Sequence, residues 1–392
     1  MIPLTVPEIR GNEWKYIKEC LDTKWVSSVG KYVETFEERF AEYIESRYAI
    51  AVVNGTSAIH TALMSTGITN NDEVIVPTLT FVGTVNPIRY CGARPIFIDS
   101  ESNTWNISSE KIIKFIEKNT IYDESTGKLI NRSSKNQIKA ILPVHLYGYP
   151  TDMDHILEIA RRYNLIVIED ATEALGSKYK GINVGKLGDI GCFSFNGNKL
   201  ITTGSGGMIV TDNEQYAKKA KYLTTQARDD EKEYIHNEIG YNYRLSNLQS
   251  AIGVAQLEMI DEFIEIKRRN AMYYTELLKD VKGISTCIET PAVFNCFWMY
   301  SILVKKDEYC LSKNDLLRIL ENHQIQARSF FKPIHTLLPY QKFYSENIVV
   351  ANELYEQGIN LPSSVGIKKE EIERVVDVIK KGRELYKMQN IT

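Results

Sequence analysis

The sequence lacks three features that would each define a class of protein: paired cysteines, a long apolar run and a strong excess of charge of one sign. Its six cysteines form no CxxC pair and none lies at zinc-ligand spacing from a histidine, so we expect reduced core thiols and no metal site. No apolar run reaches the ~18 residues of a membrane span, and the first ten residues lack the pattern of a signal peptide. The net charge of −3 gives no long-range attraction to nucleic acid or anionic membranes. We therefore expect a cytoplasmic protein that binds neither.

The chain of 392 residues is too long for one compact core and favours two domains. Up to about residue 270, short β-branched runs alternate with amphipathic stretches. This alternation predicts βαβ units, a largely parallel sheet and helices on both of its faces. The predicted strands are 48–53, 73–76, 95–99, 138–144, 165–169, 189–195 and 207–210. The predicted helices between the earlier strands are 56–64, 84–90, 109–118 and 152–163.

The pattern changes after residue 246. Apolar residues recur at helical spacing from Leu248 to Phe263, with Ser246 as N-cap, and predict one long helix to about Leu278. An α+β pattern follows, with a strand at 298–304 and helices near 313–322, 348–357 and 368–386. We expect a large domain at 1–278, with an N-terminal arm and the long connecting helix, and a smaller domain at 279–392. The charge-dense segment 229–233 predicts a solvated loop.

A predicted strand runs into Asn54-Gly55-Thr56-Ser57, where a helix begins at once. The free backbone N–H groups and the dipole of a helix N-terminus attract phosphate, and the Thr56 and Ser57 hydroxyls add donors. Ser and Thr are also common N-caps where no ligand binds. This motif by itself leaves both interpretations open.

The continuous apolar run 165–168 is typical of a buried central strand, and it ends in Glu169 and Asp170. Ligands of open α/β sheets bind at this edge. A carboxylate there suits a cofactor with a basic ring nitrogen, because it keeps the nitrogen protonated and the ring electron-poor. Asp170 is equally suited to cap a helix that begins at Ala171.

Lys199 follows an apolar run that ends in Phe195 and precedes a glycine-rich bend at 204–207. Most lysines are surface charges, but a nucleophilic amine needs a sheltered site where desolvation or a cationic neighbour lowers its pKa. The glycines lack the G-x-G-x-x-G spacing of a dinucleotide loop, which excludes that interpretation.

Five motifs in this order resemble the DegT/DnrJ/EryC1/StrS sugar aminotransferases, which are pyridoxal phosphate enzymes of the aspartate-aminotransferase fold (type I). The motifs are Asn54-Gly55-Thr56-Ser57, Pro77-Thr78-Leu79-Thr80-Phe81, Glu169-Asp170-Ala171, Ser194-Phe195 with Lys199, and Gly240-Tyr241-Asn242-Tyr243-Arg244-Leu245. The resemblance covers nearly the whole chain. It implies an α/β protein with a mostly parallel central sheet in the large domain, a smaller α+β C-terminal domain, and pyridoxal 5'-phosphate as the cofactor.

The resemblance assigns roles to the matching positions. Lys199 matches the lysine that carries the cofactor covalently and moves a proton between substrate carbon and cofactor. Asp170 matches the carboxylate that pairs with the pyridine nitrogen. Phe81 matches an aromatic residue stacked on the ring, although ordinary core packing would equally explain it. The residues that match the phosphate cradle are Thr56, Ser57 and Ser194.

Three further positions bear on the resemblance. Glu173 falls where the family often has His or Gln close to the ring. Asn242 resembles the asparagine that reaches the phosphate of the neighbouring subunit's cofactor, which implies an obligatory homodimer with shared active sites. Ser205 stands where the family commonly has glycine, and we expect a mild effect there.

The implied reaction is the transfer of the amino group of L-glutamate to a nucleotide-sugar ketone. Lysine at position 199 indicates transamination, since relatives with histidine there perform dehydration. The stretches 7–14, 25–30, 196–199 and 234–238 resemble a subgroup that aminates C4 of a nucleotide-linked 2-acetamido-4-keto-2,6-dideoxyhexose, with UDP favoured. The bacillosamine-type product of that subgroup feeds legionaminic acid or related surface glycans.

A nucleotide diphosphate needs cationic or hydrogen-bonding partners. By position, the candidates are Arg244, Lys332, His335, Trp25, Ser27 and Ser28. The first three are equally common as solvated charges or structural histidines. Three alternatives stay open: a GDP-perosamine-type or C3-ketosugar aminotransferase, a pyridoxal phosphate lyase or dehydratase, and a non-catalytic pyridoxal phosphate-binding regulatory module.

Overall fold

The computed structural model describes residues 1–230 and 232–389. Every strand predicted before residue 211 is present, within three residues of its predicted ends. The strands are β1 (Tyr48–Val52), β2 (Asp72–Pro77), β3 (Arg94–Ile98), β4 (Thr120–Asp123), β5 (Lys128–Asn131), β6 (Gln137–Ile141), β7 (Ile166–Asp170), β8 (Lys178–Tyr179), β9 (Ile182–Asn183), β10 (Ile190–Ser194), β11 (Gly207–Thr211), β12 (Ile284–Thr286), β13 (Val293–Phe294), β14 (Tyr300–Val304), β15 (Arg328–Ser329) and β16 (Gly358–Leu361).

The helices predicted between the early strands are also present. The helices are α1 (Glu13–Thr23), α2 (Lys31–Ile44), α3 (Gly55–Ser65), α4 (Val82–Tyr90), α5 (Ser109–Asn119), α6 (Met153–Tyr163), α7 (Glu214–Thr224), α8 (Asn247–Leu257), α9 (Ile260–Leu278), α10 (Lys306–Tyr309), α11 (Lys313–Asn322), α12 (Val350–Gln357), α13 (Lys369–Lys380) and α14 (Gly382–Gln389). Short 3-10 turns occur at Leu146–Gly148 and Ile334–Thr336. No helix among the described residues is long and apolar enough to cross a membrane.

The largest sheet has nine strands, and its centre is parallel. The neighbouring strands β10, β7, β6, β2 and β3 all run in one direction. β11 is antiparallel to both β10 and β1, so β1 points the same way as the parallel strands. The carboxyl ends of β1, β2, β7 and β10 therefore meet at one edge of the sheet. A ligand of an open α/β sheet is expected at this edge.

Helices cover both faces of this sheet, as the alternating pattern predicts. On β10, Cys192 packs in a cluster with Ile59 of α3 and Ala217 of α7. Its neighbour Phe193 packs in another cluster, with its ring centroid 5.1 Å from that of Phe40 of α2. Because successive side chains of a strand point to opposite faces, the two clusters are the two sides of the sheet.

The single helix predicted from Ser246 to Leu278 is wrong, because the structure has two helices, α8 and α9. Ser246 does cap α8, in a capping box with Gln249. The break falls at Glu258 and Met259, and the Glu258 carboxylate accepts hydrogen bonds from Asn12, Tyr16 and Arg39. Apolar residues keep their helical spacing through the break, so periodicity does not reveal it. The break instead coincides with the hydrogen bonds to Glu258 from the distant N-terminal segment.

The helix predicted near 368–386 is also divided, into α13 and α14. Gly382 begins α14, and a Cβ added there would lie 2.4 Å from the Tyr309 hydroxyl oxygen. A glycine lowers helix propensity and here permits a close approach of the backbone to a tyrosine. Within the predicted charged loop, residues 229, 230, 232 and 233 are exposed or half-buried, and Glu231 lies outside the described residues.

Beyond α9, a second sheet has the order β12-β14-β16-β15 and is antiparallel throughout. Strands β12, β14 and β16 pack in one cluster with apolar residues of α9, α11 and α13. The end of α9 at Leu278 is where we propose the boundary between the domains 1–278 and 279–392. All six cysteines are free thiols; Cys20, Cys192 and Cys296 are buried, whereas Cys310 is exposed.

Candidate active site

A cavity of about 330 Å³ opens at the sheet edge where β1, β2, β7 and β10 end. The residues that line it come from segments far apart in the chain. They include Asn54, Gly55, Thr56, Thr80, Phe81, Thr84, Asp170, Glu173, Ser194, Asn198, Lys199, Trp298 and Phe331. The volume lies within the range of ordinary small-molecule sites, about 300–1,000 Å³.

The two carboxylates at the end of β7 point in different directions. Asp170 lines the cavity, where its oxygens accept hydrogen bonds from the Thr84 hydroxyl (2.7 Å) and the Thr172 backbone N–H (3.1 Å). Glu169 instead accepts hydrogen bonds from the backbone N–H groups of Gly185 and Gly188. Neighbouring strand residues face opposite sides, so only Asp170 is available to a ligand. The alternative of a helix that begins at Ala171 is wrong, because a turn follows β7.

Lys199 is sheltered, as the sequence predicts. Only 13% of its side chain is exposed, and its Nζ lies 3.9 Å from the centroid of the Trp298 ring. Nζ is 3.7 Å from Oε1 of Glu173. Burial lowers the pKa of the amine, while the negative charges of Glu173 and Asp170 raise it. A desolvated amine of this kind is available as a nucleophile and a base.

Glu173 is buried beside Lys199 and takes a hydrogen bond from the Tyr147 backbone N–H (2.9 Å). Burial raises the pKa of this carboxyl to about 7, against the opposing effect of the Lys199 charge. The cavity therefore holds one amine and two acidic groups, Asp170 and Glu173, in a poorly solvated space.

The first turn of α3 forms one wall of the cavity. Asn54 is the N-cap, and its Oδ1 accepts the backbone N–H of Ser57 (2.8 Å). A Cβ on Gly55 would lie 2.8 Å from Cβ of Ser194, so only glycine allows these two walls to approach each other. Thr56 and Ser194 line the cavity, whereas Ser57 is buried behind it and its N–H is already bonded.

Phe81 follows β2 and stands at the mouth of the cavity. Its side chain is 55% exposed, and its ring centroid is 5.6 Å from that of Phe331. Ordinary core packing therefore does not explain this residue. An aromatic face left open beside a cavity is suited to stacking against a planar ligand.

Comparison with known proteins identifies the family. The sequence model of the DegT/DnrJ/EryC1/StrS aminotransferase family matches residues 7–380. The chain belongs to this family. It is 43% identical to a GDP-perosamine synthase of Escherichia coli O157:H7 over 371 residues, which are 95% of each chain. It is 38% identical to EpsN of Bacillus subtilis, a putative pyridoxal phosphate-dependent aminotransferase, over 382 residues, with 96% of this chain and 95% of EpsN covered.

A solved structure supports the fold. PseC of Helicobacter pylori, an aminotransferase involved in the biosynthesis of pseudoaminic acid, matches with a TM-score of 0.87 at 25% identity, over 98% of this chain and 99% of that one. The predicted type I fold, the enzyme class and the cofactor are confirmed: the protein is a pyridoxal phosphate-dependent sugar aminotransferase.

The cavity of this aminotransferase fits the cofactor on its own geometry. A phosphate needs backbone and hydroxyl donors, which the first turn of α3 with Thr56 and Ser194 offers at one end. A pyridine nitrogen needs an acceptor, and Asp170 is held for that purpose by Thr84 and Thr172. An aldehyde needs an amine, and Lys199 is the lysine in the lining. The residues of the cavity therefore match the chemical groups of pyridoxal phosphate.

The segment 25–28, predicted at the substrate mouth, does not line this cavity. Asn247, the first residue of α8, holds it through the backbone: its Nδ2 donates to the Trp25 carbonyl (2.7 Å) and its N–H to the Ser27 carbonyl (2.6 Å). The side chains of Trp25 and Ser27 are exposed, and Ser28 is half-buried. Asn247 thus fixes the backbone of segment 25–28, while the side chains of Trp25 and Ser27 remain exposed to solvent.

Asn242, predicted at the cofactor phosphate, and the remaining predicted substrate residues also lie outside the cavity lining. Asn242 and Lys332 are exposed, and Arg244 is half-buried next to β1. His335 has a partner of its own, since its Nδ1 is 2.7 Å from the Thr78 hydroxyl oxygen, and burial lowers its pKa. The contact with Thr78 therefore favours a structural role for His335, which is the alternative that the sequence left open.

Thr84 and Trp298 line the cavity but were not predicted, and neither was Tyr147, whose N–H donates to Glu173. Tyr147 follows the carboxyl end of β6 at the same edge of the sheet, so the rule that found Asp170 also applies to it. Thr84 is three residues beyond the Phe81 motif, on α4. Trp298 carries no local signal, because it reaches Lys199 only through folding of the chain after α9.

Proposed function

We propose that this aminotransferase transfers the amino group of L-glutamate to the C4 ketone of a GDP-linked 4-keto-6-deoxymannose, giving a GDP-perosamine-type product. One observation carries the reaction: a buried lysine faces two buried carboxyl groups in a cavity at the carboxyl edge of the sheet. The choice of sugar rests on the 43% identity with a GDP-perosamine synthase over nearly the full length of both chains. The product expected from the sequence motifs, a UDP-linked bacillosamine-type sugar, is the second candidate, supported by the stretches 7–14 and 25–30.

When bound, pyridoxal phosphate would supply the chemistry that carries an amino group from one substrate to another. Lys199 would hold it covalently, and its Nζ would move a proton to and from the substrate carbon. Asp170, oriented by Thr84 and Thr172, would pair with the ring nitrogen. Phe81 would stack on one face of the ring.

Two further features belong to this proposal. The phosphate is held by Thr56 and Ser194 of one chain, with Ser57 behind them, and by Asn242 of the partner subunit, in a homodimer with shared sites. The nucleotide sugar contacts the exposed rim. The residues proposed there are Trp25, Ser27, Ser28, Arg244, Lys332 and His335.

A panel of nucleotide ketosugars with L-glutamate tests the proposal. The panel holds a GDP-linked 4-keto-6-deoxymannose, a UDP-linked 2-acetamido-4-keto-2,6-dideoxyhexose and a 3-keto sugar. We expect the highest kcat/KM with the GDP sugar, measured as 2-oxoglutarate formed and as the mass of the amino sugar. Turnover with the UDP sugar alone would select the second candidate, and turnover with the 3-keto sugar alone would remove the C4 assignment.

Two controls exclude other classes of protein. Consumption of the sugar without formation of 2-oxoglutarate indicates a lyase or dehydratase. Borohydride reduction of the holoenzyme should attach the cofactor to the peptide that contains Lys199, as detected by mass spectrometry. Cofactor that binds but is not trapped there indicates a non-catalytic module.

A further inference from the structure

Glu173 and Lys199 form a buried pair whose geometry is set by the fold. Oε1 of Glu173 lies 3.7 Å from Nζ of Lys199, and Oε2 accepts the backbone N–H of Tyr147. Tyr147 has φ +54°, a left-handed conformation that a tyrosine adopts only when its surroundings hold it there. Here the Phe331 N–H donates to its hydroxyl oxygen (3.0 Å), and its ring packs against Phe330. The carboxylate is thus held in place against the amine.

The other carboxylate of the cavity is engaged differently. Both oxygens of Asp170 accept hydrogen bonds, from Thr84 and Thr172, whereas one oxygen of Glu173 is directed at Lys199. The effect of Glu173 on the amine is larger than that of Asp170. Among the described residues, Cys296 and the Tyr147 hydroxyl also interact electrostatically with this pair.

A buried amine is a poor base because its ammonium form loses solvation by water. This burial is the largest influence on the pKa of Lys199 and lowers it, while the carboxylate of Glu173 acts in the opposite direction. A carboxylate within about 4 Å stabilises an ammonium strongly where little water screens the charges. The Glu173 carboxylate therefore increases the basicity of the Lys199 amine.

We propose that Glu173 is the counter-ion that stabilises the ammonium form of Lys199 each time this amine takes up the substrate's proton. The inference deepens the proposed function, because it rests on Lys199 as the group that moves this proton. In that step the substrate C–H bond breaks, its electron pair remains with the carbon and the bound cofactor, and an N–H bond forms at Nζ. Glu173 acts in its ionised form, which prevails above its pKa of about 7, and no proton passes between it and the amine in this step. It is a positioning residue that acts through Lys199, because it holds a negative charge beside the ammonium group.

Absorbance titration of the resting holoenzyme tests this directly. The nitrogen that joins Lys199 to the cofactor loses its proton as the pH rises, and the cofactor absorbance changes with it. Glu173→Gln keeps the shape of the side chain and removes its charge, so we expect the titration midpoint to fall by about 1–2 pH units. Glu173→Asp retains a charge at a greater distance and should lower the midpoint by less.

Glu110→Gln is the matched control. It removes one carboxylate from an exposed pair with Lys114, outside the cavity lining, and should leave the midpoint at the wild-type value. A midpoint in Glu173→Gln that stays with the wild type overturns the proposal. If circular dichroism shows that Glu173→Gln does not fold, Glu173→Asp decides, and an unchanged midpoint there overturns the proposal equally.

The half-reaction with L-glutamate gives a second readout. At saturating glutamate, we expect Glu173→Gln to slow proton removal by about 10²-fold, with little change in KM for glutamate. The titration requires no sugar, so the two proposals fail separately. If the titration midpoint shifts in Glu173→Gln but the wild type does not turn over the GDP sugar, only the proposed substrate is refuted. If the wild type turns over the GDP sugar but the midpoint does not shift, only the role of Glu173 as counter-ion is refuted.

Discussion

The floor and the rim of the cleft are held in different ways. The floor, which consists of Asp170, Glu173 and Lys199, is largely buried, and the chain positions each side chain with contacts of its own. Trp25 and Asn242, which we propose for the rim, are exposed to solvent. One chain thus positions the three residues of the floor, whereas the residues proposed for recognition make few contacts with the rest of the site. An open rim is the arrangement expected if a partner subunit and the nucleotide complete it.

The largest effect is expected from removal of the amine at the floor. Lys199→Ala should lower transamination by about 10⁴-fold or more, because the covalent link and the proton carrier are lost together. The fold should persist, since a buried amine contributes little to packing. Formation of 2-oxoglutarate and the thermal unfolding midpoint measure the two effects. A rate close to that of the wild type would contradict the assignment of the floor.

A smaller loss is expected from the other carboxylate of the floor. Asp170→Asn removes a charge-assisted hydrogen bond worth about 1.5–3 kcal/mol, which corresponds to about 10- to 100-fold in rate. The amide oxygen can still accept the Thr172 N–H, and the Thr84 hydroxyl can accept from the amide NH2, so the loss should appear in kcat rather than in folding. Steady-state kinetics at saturating substrates measure it, and an unchanged kcat would remove Asp170 from the floor.

A mixed dimer tests whether the rim belongs to two chains. Asn242→Ala should lower the rate by about 10-fold through loss of one hydrogen bond to phosphate. When this variant is refolded with Lys199→Ala, mixed dimers contain one site with both native residues. Activity should therefore exceed the sum of the two separate variants. If mixing brings no gain, Asn242 does not act across subunits, and the contrast between floor and rim disappears.

The smallest effect is expected at Ser205. Its hydroxyl donates to the Val53 carbonyl at an exposed position (2.8 Å). Ser205→Gly should reduce the free energy of unfolding by about 0.5–1.5 kcal/mol and leave kcat/KM within about twofold of the wild type. Urea unfolding and a glutamate assay measure these values. A large loss of activity would show that Ser205 belongs to the active site.

The floor was largely predictable because local rules identify it. Asp170 ends an apolar parallel strand, and Lys199 follows another strand at the same edge. The rule by itself does not separate Asp170 from Glu169, which the alternation of side chains turns toward Gly185 and Gly188. Ser57 lies behind the lining with its N–H bonded to the Asn54 cap, so its place in the cradle stays a prediction.

Other features depend on contacts between distant segments. Trp298 reaches Lys199 from about a hundred residues away, and the break between α8 and α9 accompanies hydrogen bonds to Glu258 from the N-terminal segment. Tyr147 adopts a left-handed conformation that its residue type disfavours. Periodicity and propensity describe neighbours in sequence, so they contain no information on these interactions.

The sequence by itself determined the alternation of strands and helices, the sheet edge at which chemistry is possible, and the residues Asp170 and Lys199 that stand there. Hydrophobic periodicity and strand polarity are local properties, which is why they can be read along the chain. Only the tertiary structure decided which oxygen of Glu173 faces the amine, which aromatic ring covers it and which rim residues remain open. Those outcomes depend on burial and on distances between segments, and both exist only once the chain is folded.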